Sequence, residues 1–278
     1  MTFWLPSSGD LRVVSNSGTV GTSNPGTSVP DGASVNTYGT VTEVISAASN
    51  IYGADAIEIM VCNTLNPSAL VGEMSLDILI GGATDDVLIS SLLVGGSYYG
   101  GPRSYWFPLS IPAGVRLAAQ ISAGAAQTTE PRVVVHLYKW GTPPFRTGRK
   151  VTTYGTKVNN SRGVAVTPTA SGGAASVTQI VASTTEDHFY FMPGFQVSTD
   201  TTISTATFIN VAIGFGASTA ERSQQTWWFS KNASESQSGP WPMWGESRDV
   251  PSGTRLTILA SNGGANDTAH DALIYAVS

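Results

Sequence analysis

The chain contains the same segment twice. Residues 111–124 read IPAGVRLAAQISAG and residues 250–263 read VPSGTRLTILASNG, and the two are identical at six of fourteen positions. Unrelated segments of that length share about one residue. The same shift of 139 positions aligns VVVHLY at 133–138 with ALIYAV at 272–277. The chain is therefore a tandem duplication of one folding unit, an organisation more typical of docking or assembly than of a single catalytic centre.

Both copies contain short strand-like segments every 8–15 residues, separated by Gly, Pro, Asn and Asp, and no amphipathic helix pattern. About seven strands per copy predict an antiparallel β-sandwich. A jelly roll is favoured over an immunoglobulin-like sandwich, because the Cys and Trp pattern of antibody domains is absent. The predicted fold is all-β, with two tandem jelly-roll-like sandwiches. Its predicted parts are an extended N-terminal arm at 1–36, a first sandwich at 37–140, a basic linker at 141–170 and a second sandwich at 171–278.

The repeated segment predicts a strand with one apolar face. Leu117 and Leu256 occupy matching positions, and residues two apart on a strand share a face. Arg116 and Arg255 precede them and therefore point outward, where a cross-strand ion pair is the expected role and a partner contact the alternative. The Pro-x-Gly before each strand predicts a tight turn.

Composition excludes several function classes. The net charge of −5 argues against binding of nucleic acid. Only 12% of residues are charged, and a surface rich in Ser and Thr costs little to cover in a permanent assembly, although a hydroxyl-rich β protein has the same composition. The sequence shows neither a signal-peptide pattern nor a long apolar run, so we expect synthesis in a cytoplasm and no membrane contact. The single cysteine, Cys62, excludes an internal disulfide and is expected to be buried and inert.

The predicted N-terminal arm has an apolar tip followed by a stretch rich in Ser, Gly, Thr, Asn and Pro. Such a stretch buries too little apolar area to offset its ordering entropy, so it would become ordered on a partner. A mobile terminus is the alternative. The predicted partner-binding residues of the tip are Phe3, Trp4 and Leu5.

The linker carries the strongest charge feature of the chain. Its basic residues predict a segment that lies across an acidic protein surface, with a solvated linker as the alternative. The tetrapeptide TYGT occurs both here, at 153–156, and at 37–40, which hints that the arm was duplicated too. The predicted partner-binding residues are Arg146, Arg149, Lys150, Lys157 and Arg162.

Motifs for chemistry are missing from the sequence. The three histidines, His136, His188 and His270, show no metal-ligand spacing, and the chain has no nucleophile elbow and no P-loop. We therefore predict no catalytic, cofactor-binding or metal-binding residues, and a protein that is not an enzyme. A hydrolase stays open, because two carboxylates facing each other across a cleft cannot be read from spacing.

The second copy carries four tryptophans within 18 positions: Trp227, Trp228, Trp241 and Trp244. The first copy has Tyr98, Tyr99, Tyr105 and Trp106 in the corresponding region. Because Trp227 and Trp228 are adjacent on a predicted strand, one should be in the core and the other on the surface. Core packing explains the cluster, while a subunit contact and a glycan site, with Trp241 and Trp244 as its residues, are the alternatives.

The segments NTYGTVTEVI at 36–45 and IPAGVRLAAQIS at 111–122, repeated as VTQIVAS and VPSGTRLTILAS, follow the Ser/Thr/Gly-rich arm. This arrangement resembles a class of bacteriophage virion proteins. The resemblance implies a non-enzymatic structural component, either a capsid decoration protein, a head fibre or a tail accessory protein, that binds other virion proteins after synthesis in the bacterial cytoplasm. We expect a homo-oligomer, with a trimer favoured. Whether the six modules of three chains form a pseudo-sixfold ring stays open. A carbohydrate- or receptor-binding module of a phage tail is the alternative.

Overall fold

The computed structural model confirms the all-β prediction, and its described residues contain no helix. In that part of the chain there is consequently no helix of the length and apolar character needed to cross a membrane. The residues described are 11–18, 25–62, 74–81, 84–94, 103–124, 131–156, 163–169, 174–197, 207–232, 235–238, 245–264 and 270–278.

The first module is a sandwich of two antiparallel sheets. Its strands are β1 (Arg12–Ser15), β2 (Thr27–Ser28), β3 (Thr42–Ile45), β4 (Ala56–Cys62), β5 (Met74–Gly81), β6 (Asp85–Leu93), β7 (Arg103–Phe107), β8 (Arg116–Ala123) and β9 (Arg132–Lys139). One sheet has the order β1-β9-β4-β7, with β2 also paired to β9, and the other has the order β3-β8-β5-β6.

The second module repeats this arrangement. Its strands are β10 (Val151–Tyr154), β11 (Val164–Val166), β12 (Ser176–Val181), β13 (His188–Val197), β14 (Thr207–Phe215), β15 (Thr226–Asn232), β16 (Glu235–Ser238), β17 (Glu246–Val250), β18 (Leu256–Asn262) and β19 (His270–Val277). One sheet has the order β10-β19-β13-β17, with β11 also paired to β19, and the other has the order β12-β18-β14-β15-β16.

The strand order identifies the topology. If β1 and β2 count as one strand, the eight strands of the first module form sheets of order 1-8-3-6 and 2-7-4-5. The second module has the same order, with the β16 hairpin strand added at one edge. Two four-stranded sheets connected in this way are a jelly roll, so the favoured prediction is confirmed and the immunoglobulin-like alternative is wrong.

The predicted strand faces are confirmed. Leu117 and Leu256 are fully buried between the sheets of their modules. Arg116 forms an ion pair with Asp85, and Arg255 forms the corresponding pair with Glu221. The preceding turns place glycine at a positive φ of 73° in the first module and 85° in the second, a conformation that only glycine adopts without strain. The duplication thus preserves turn, core position and ion pair together.

The described parts of the predicted arm and linker differ from the prediction, because both supply strands to their own modules. β1 and β2 pair with β9, as β10 and β11 pair with β19. Asn16 fixes the first of these segments, since its side-chain amide donates to the Val133 carbonyl (3.0 Å) and accepts from the Val135 amide (2.7 Å). Backbone pairing on a central strand needs no apolar alternation, which is why the sequence pattern did not predict these strands.

The arm was therefore duplicated, although the TYGT repeat is not the trace of it. Tyr154 belongs to β10 and pairs with β19, whereas Tyr38 forms an isolated bridge to Ser122 in the opposite sheet of its module. The two tetrapeptides thus occupy different places in the two jelly rolls. The dipeptide Asn-Ser also occurs in both segments, at 16–17 and 160–161, but the second occurrence lies outside the described residues.

Candidate functional site

The two modules meet at a buried tyrosine. Tyr275 of β19 lies on the face of its sheet that covers the β6–β7 edge of the first sandwich. Its hydroxyl donates to the Ser91 carbonyl (3.0 Å) and accepts from the Leu93 amide (2.8 Å). Its ring contacts Tyr105 and Phe107 edge to face, with centroid distances of 5.7 and 6.0 Å. Tyr275 therefore closes the side of the first sandwich with both apolar and hydrogen-bonding contacts.

Local sequence makes room for this ring. Gly194 on the neighbouring strand lies under Tyr275, and a Cβ there would come within 2.5 Å of the tyrosine hydroxyl. Further hydrogen bonds join the modules around it: Thr153 donates to the Ser90 carbonyl (2.8 Å), and Tyr190 donates to the Trp106 carbonyl (3.0 Å). One hydrophobic cluster consequently extends through both modules.

A cleft of about 540 Å³ opens at the surface beside this seam. Trp106 forms its centre, with ring contacts to Phe145 (5.1 Å) and Tyr190 (5.8 Å). Phe145 also contacts Trp140 at 5.0 Å, which extends the row of rings onto the outer face of the first module. Residues of both modules line the cleft: Trp106, Pro108, Phe145, Arg146, Phe189, Tyr190, Gly245, Ser247, Arg248 and Asp249.

Charged groups stand at the rim of the cleft. Arg146 lies over the Phe189 ring at 4.3 Å and pairs with Asp249 at 3.0 Å, and both members of the pair are exposed. Aromatic rings beside exposed hydrogen-bonding groups suit a sugar ring or a protein side chain. The described lining residues include no histidine, cysteine or paired carboxylates that could act as acid and base.

A buried acid lies at the β17 edge of the second module. Glu246 is 3% exposed, and burial raises the pKa of its carboxyl group above the usual range, against the opposing effect of Arg248. The Arg248 side chain lies 3.9 Å from this carboxylate and covers the Phe215 ring at 4.6 Å. An acidic group is thus placed at the sandwich edge that corresponds to the edge covered by Tyr275 in the first module.

The outer face of the β9 sheet is polar and aromatic. Tyr138 donates to Glu58 (2.6 Å), and burial together with this carboxylate raises the pKa of the tyrosine. His136 lies beside Tyr138 with a ring distance of 6.2 Å, and burial lowers the pKa of its imidazole. Both rings are half-buried. This face presents half-buried groups at His136 and Tyr138, whereas the matching residues of the second module, Tyr275 and Val277, are fully buried.

The described basic residues of the linker contact the second module. Arg146 pairs with Asp249, and Lys150 pairs with Glu186 at 3.0 Å. Arg149 is exposed, and its backbone amide donates to the Ser278 carbonyl. Binding of these residues to a partner stays a prediction. The other predicted partner-binding residues, Phe3, Trp4, Leu5, Lys157 and Arg162, lie outside the described residues, as do the predicted glycan-binding residues Trp241 and Trp244.

The prediction for adjacent tryptophans is confirmed, because Trp227 is 3% exposed and Trp228 is 57% exposed. The prediction of a buried Cys62 is wrong in degree: the thiol is half-buried, and burial raises its pKa. Sequence reasoning missed the cleft, because nothing in the sequence indicates that Phe145, in a segment without strand pattern, meets Phe189 of the aromatic strand β13. The aromatic residues that line it could be seen in the sequence only as separate groups, with Trp106 in the group of the first copy.

The residues that the structure describes contain no group of three metal-ligating side chains. Two buried histidines of the second module pack on aromatic rings: His188 contacts Tyr154 and Phe191, and His270 stacks on Phe195 at 5.1 Å.

Comparison of the chain with protein-family models and with curated proteins finds no match.

Proposed function

We propose that the protein is a non-enzymatic structural component of a bacteriophage virion, such as a capsid decoration protein, a head fibre or a tail accessory protein. It binds neighbouring virion proteins and assembles as a homo-oligomer, with a trimer favoured. Its assembly takes place in the bacterial cytoplasm. The resemblance carried by the NTYGTVTEVI and IPAGVRLAAQIS segments is the starting point of this proposal.

The observation that carries the proposal is the seam at Tyr275. Two jelly rolls are joined by packing the face of one against the open edge of the other, so that their cores are continuous. Such a contact joins an outer sheet face to a sandwich edge. A rigid subunit of two firmly joined jelly rolls is suited to repeated packing against neighbouring subunits.

The surface chemistry supports the same proposal. A chain with 12% charged residues loses little solvation when its faces are covered by other subunits. Exposed apolar side chains at Phe208 (61%) and Trp228 (57%) lie on the outer sheet of the second module. Single exposed rings are ordinary, but two on one sheet of a weakly charged surface favour a covered face.

Cryo-electron microscopy of purified particles of the encoding phage tests the proposal, with mass spectrometry to establish that the chain is present. Density for two jelly rolls in many copies on the shell, or in a few copies at the tail, is expected. Absence of the chain from particles that are otherwise complete would contradict the proposal.

A deletion of residues 1–10 tests the arm without touching β1 or β2. It removes Phe3, Trp4 and Leu5, and we expect the shortened chain to fold but to be lost from particles. Replacement of the same three residues by serine is the matched variant. Normal incorporation of both proteins would show that the tip does not bind a partner.

A second function, recognition of a host glycan, is favoured by the cleft around Trp106. Its rings and the Arg146–Asp249 pair form the kind of surface that holds a sugar. Titration with host-surface oligosaccharides, followed by tryptophan fluorescence and calorimetry, should show binding that is lost in Phe145→Ala and kept in Trp228→Ala. Binding unaffected by Phe145→Ala, or no binding at all, would exclude this cleft as a glycan site.

A further inference from the structure

The second module has a groove of about 340 Å³ on the outer face of its β12-β18-β14-β15 sheet. Trp228, which is 57% exposed, lines this groove together with the apolar side chains of Ala212 and Leu259 and the polar side chains of Asn210 and Ser261. The described lining residues include no charged side chain. The groove therefore suits an uncharged ligand with an apolar ring.

In the first module a tyrosine lies at the corresponding place. The Tyr38 hydroxyl donates to Asp77 (2.9 Å), and the Gln120 amide donates to the same carboxylate (3.0 Å). Asp77 pairs with Gln120 across the sheet. The shift of 139 positions converts Gln120 to Leu259, which pairs with Ala212 in the groove. An aromatic ring thus covers the sheet of the first module where the second module has an open groove.

The second module lacks this tyrosine. Tyr38 forms a bridge to Ser122, and the same shift converts Ser122 to Ser261. The register of β12 with β18 places Ala175 opposite Ser261, and Ala175 lines the groove. Alanine therefore stands where the first module has tyrosine, and the groove is the place of a ring that its own module does not supply.

Asn210 gives the groove a free acceptor. Its Nδ2 atom lies 3.5 Å from the Ser261 hydroxyl, and its Oδ1 atom receives no hydrogen bond from the residues that the structure describes. Because the terminal torsion of asparagine is broad, this oxygen can turn toward a donor placed in the groove. An indole ring combines an apolar body with a single N–H donor, so a tryptophan side chain fits both features.

We propose that Trp4 of a second copy of this chain occupies the groove, with Phe3 and Leu5 beside it. Residues 1–9 have no charged side chain, so the tip matches the uncharged groove, and covering both surfaces desolvates no ionised side chain. The inference rests on the proposed function and deepens it, because it names the surface that the arm tip binds.

The topology makes this contact intermolecular. β1 and β7 are opposite edges of one sheet, about 14 Å apart. The β19 sheet packs against the β7 edge and the groove sheet lies behind it, which adds about 20 Å for the two layers. Trp4 precedes Arg12 by eight positions, a length of at most about 29 Å. The tip is therefore too short to reach the groove of its own chain.

The tip and the groove belong to opposite ends of the molecule, so each added copy leaves one free tip and one free groove. Such a head-to-tail contact either closes into a ring or continues as a filament. Closure after three copies gives the trimer favoured in the proposed function. The expected assembly is a trimer of the 29.0 kDa chain.

Light scattering coupled to size-exclusion chromatography of the purified full-length chain tests the contact. The wild type should be a trimer, and Trp4→Ser, which removes the ring, should be a monomer. Ala175→Tyr should also be monomeric, because it supplies the ring that Tyr38 supplies in the first module and fills the groove. Val177→Tyr is the matched control, since Val177 is 46% exposed two positions further along the same face, and it should remain a trimer. Circular dichroism verifies the fold of each variant.

Mixing the two monomeric variants gives the decisive result. Trp4→Ser keeps an open groove and Ala175→Tyr keeps its tip, so the mixture should form a dimer that cannot grow further. A monomeric wild type, assembled single variants, a monomeric Val177→Tyr or a mixture that stays monomeric would each overturn the proposed contact. Because this test uses isolated protein, its result is independent of whether the chain is found in virions.

A peptide of residues 1–10, titrated into the Trp4→Ser chain, tests the groove directly. Calorimetry should show one site per chain, and the Trp4→Ser peptide should bind at least about tenfold more weakly, because the buried ring is the anchor. Equal binding of the two peptides, or no binding, would overturn the proposal. Binding of maltohexaose that is lost in Ala175→Tyr, with no binding of the peptide, would assign the groove to a glycan instead.

Discussion

The two modules share one topology but use the same sheet face in opposite ways. In the second module the outer face of β19 is completely buried, with Met192, Gly194 and Tyr275 packed toward the first module. In the first module the outer face of β9 presents His136 and Tyr138, half-buried and hydrogen-bonding. Duplication gave both modules this sheet face, and only that of the second module is buried in a contact within the chain.

The corresponding edges of the two sandwiches also differ. Phe107 offers Tyr275 an aromatic surface, while Glu246 places an acid at the same position. A buried carboxylate costs stability, whereas a buried phenyl ring contributes to it. The first edge is therefore the more stabilising of the two, and the second departs from that pattern at Glu246, beside the strand β16 that pairs with β15.

Tyr275→Ala should lower the unfolding free energy more than any other substitution considered below. It removes a fully buried ring and two hydrogen bonds at the seam, for which we expect a loss of about 3–5 kcal/mol in unfolding free energy. His136→Ala at the matching position should cost less than about 1 kcal/mol in the monomer, because its ring is half-buried. Urea unfolding measures both, and equal losses would show that the two faces do not differ in their contribution.

Tyr275→Phe separates the ring from its hydroxyl. The ring contacts with Tyr105 and Phe107 remain, and the Ser91 carbonyl and the Leu93 amide lose their partner. We expect a loss of about 1–3 kcal/mol, the cost of leaving buried polar groups unpaired. A loss as large as that of Tyr275→Ala would mean that hydrogen bonding, and not packing, holds the seam.

Glu246→Gln should stabilise the isolated chain at neutral pH by about 1–2 kcal/mol, because a neutral side chain avoids the cost of burying a charge. Burial raises the folded pKa of Glu246 above its ordinary value of 4.5, so the folded state holds the proton more tightly than the unfolded state. The wild type therefore gains stability as the pH falls through the raised folded pKa, and the gain is complete below 4.5. Thermal unfolding at a series of pH values should show the variant losing its advantage in acid. A constant difference between the two proteins would contradict this assignment.

Thr152→Val makes the second module resemble the first, which has Val14 at the corresponding position of β1. Thr152 donates to Glu186 (2.6 Å). This hydrogen bond is the main reason why the pKa of the Glu186 carboxyl group lies below 4.5, and the nearby Lys150 lowers that pKa further. The stabilisation is present above 4.5 and is lost as the pH falls through the depressed folded pKa. We expect a loss of about 0.5–1 kcal/mol at neutral pH that disappears in acid. Chemical denaturation at both pH values measures it, and a pH-independent loss would assign the effect to packing.

Arg146→Ala should have the smallest effect. Its ion pair with Asp249 is exposed on both sides, and such pairs contribute about 0–1 kcal/mol. Its contact with the Phe189 ring adds about 0.5 kcal/mol. A difference in thermal stability larger than that of Thr152→Val would show that the linker is held on the second module more firmly than its exposure indicates.

The sequence predicts the duplication, the core strands and the outward arginines, because those features repeat with a period that backbone geometry imposes. Leu117 and Leu256 could be placed between the sheets from alternation alone. β1 and β10 could not be predicted, because a short strand that pairs with a central strand is selected by backbone hydrogen bonds and not by its own apolar pattern.

The candidate sites were less accessible to sequence reasoning. Trp106 and Tyr190 meet in the cleft from different modules, and no spacing rule relates positions brought together by the docking of two domains. The acid at Glu246 was equally hidden, since exposed and buried carboxylates look alike in a sequence. Both become visible only when the equivalent positions of the two copies are compared in three dimensions.

The Tyr275 seam has a consequence for how the protein is made. The hydroxyl that bonds Leu93 belongs to a residue 182 positions later in the chain. The first jelly roll is complete at Lys139. At a synthesis rate of about 5–20 residues per second, it therefore waits roughly 7–27 s for Tyr275 with its β6–β7 edge unsealed. A polypeptide that terminates before β19 never receives this seal, so the seam distinguishes finished chains from incomplete ones during translation.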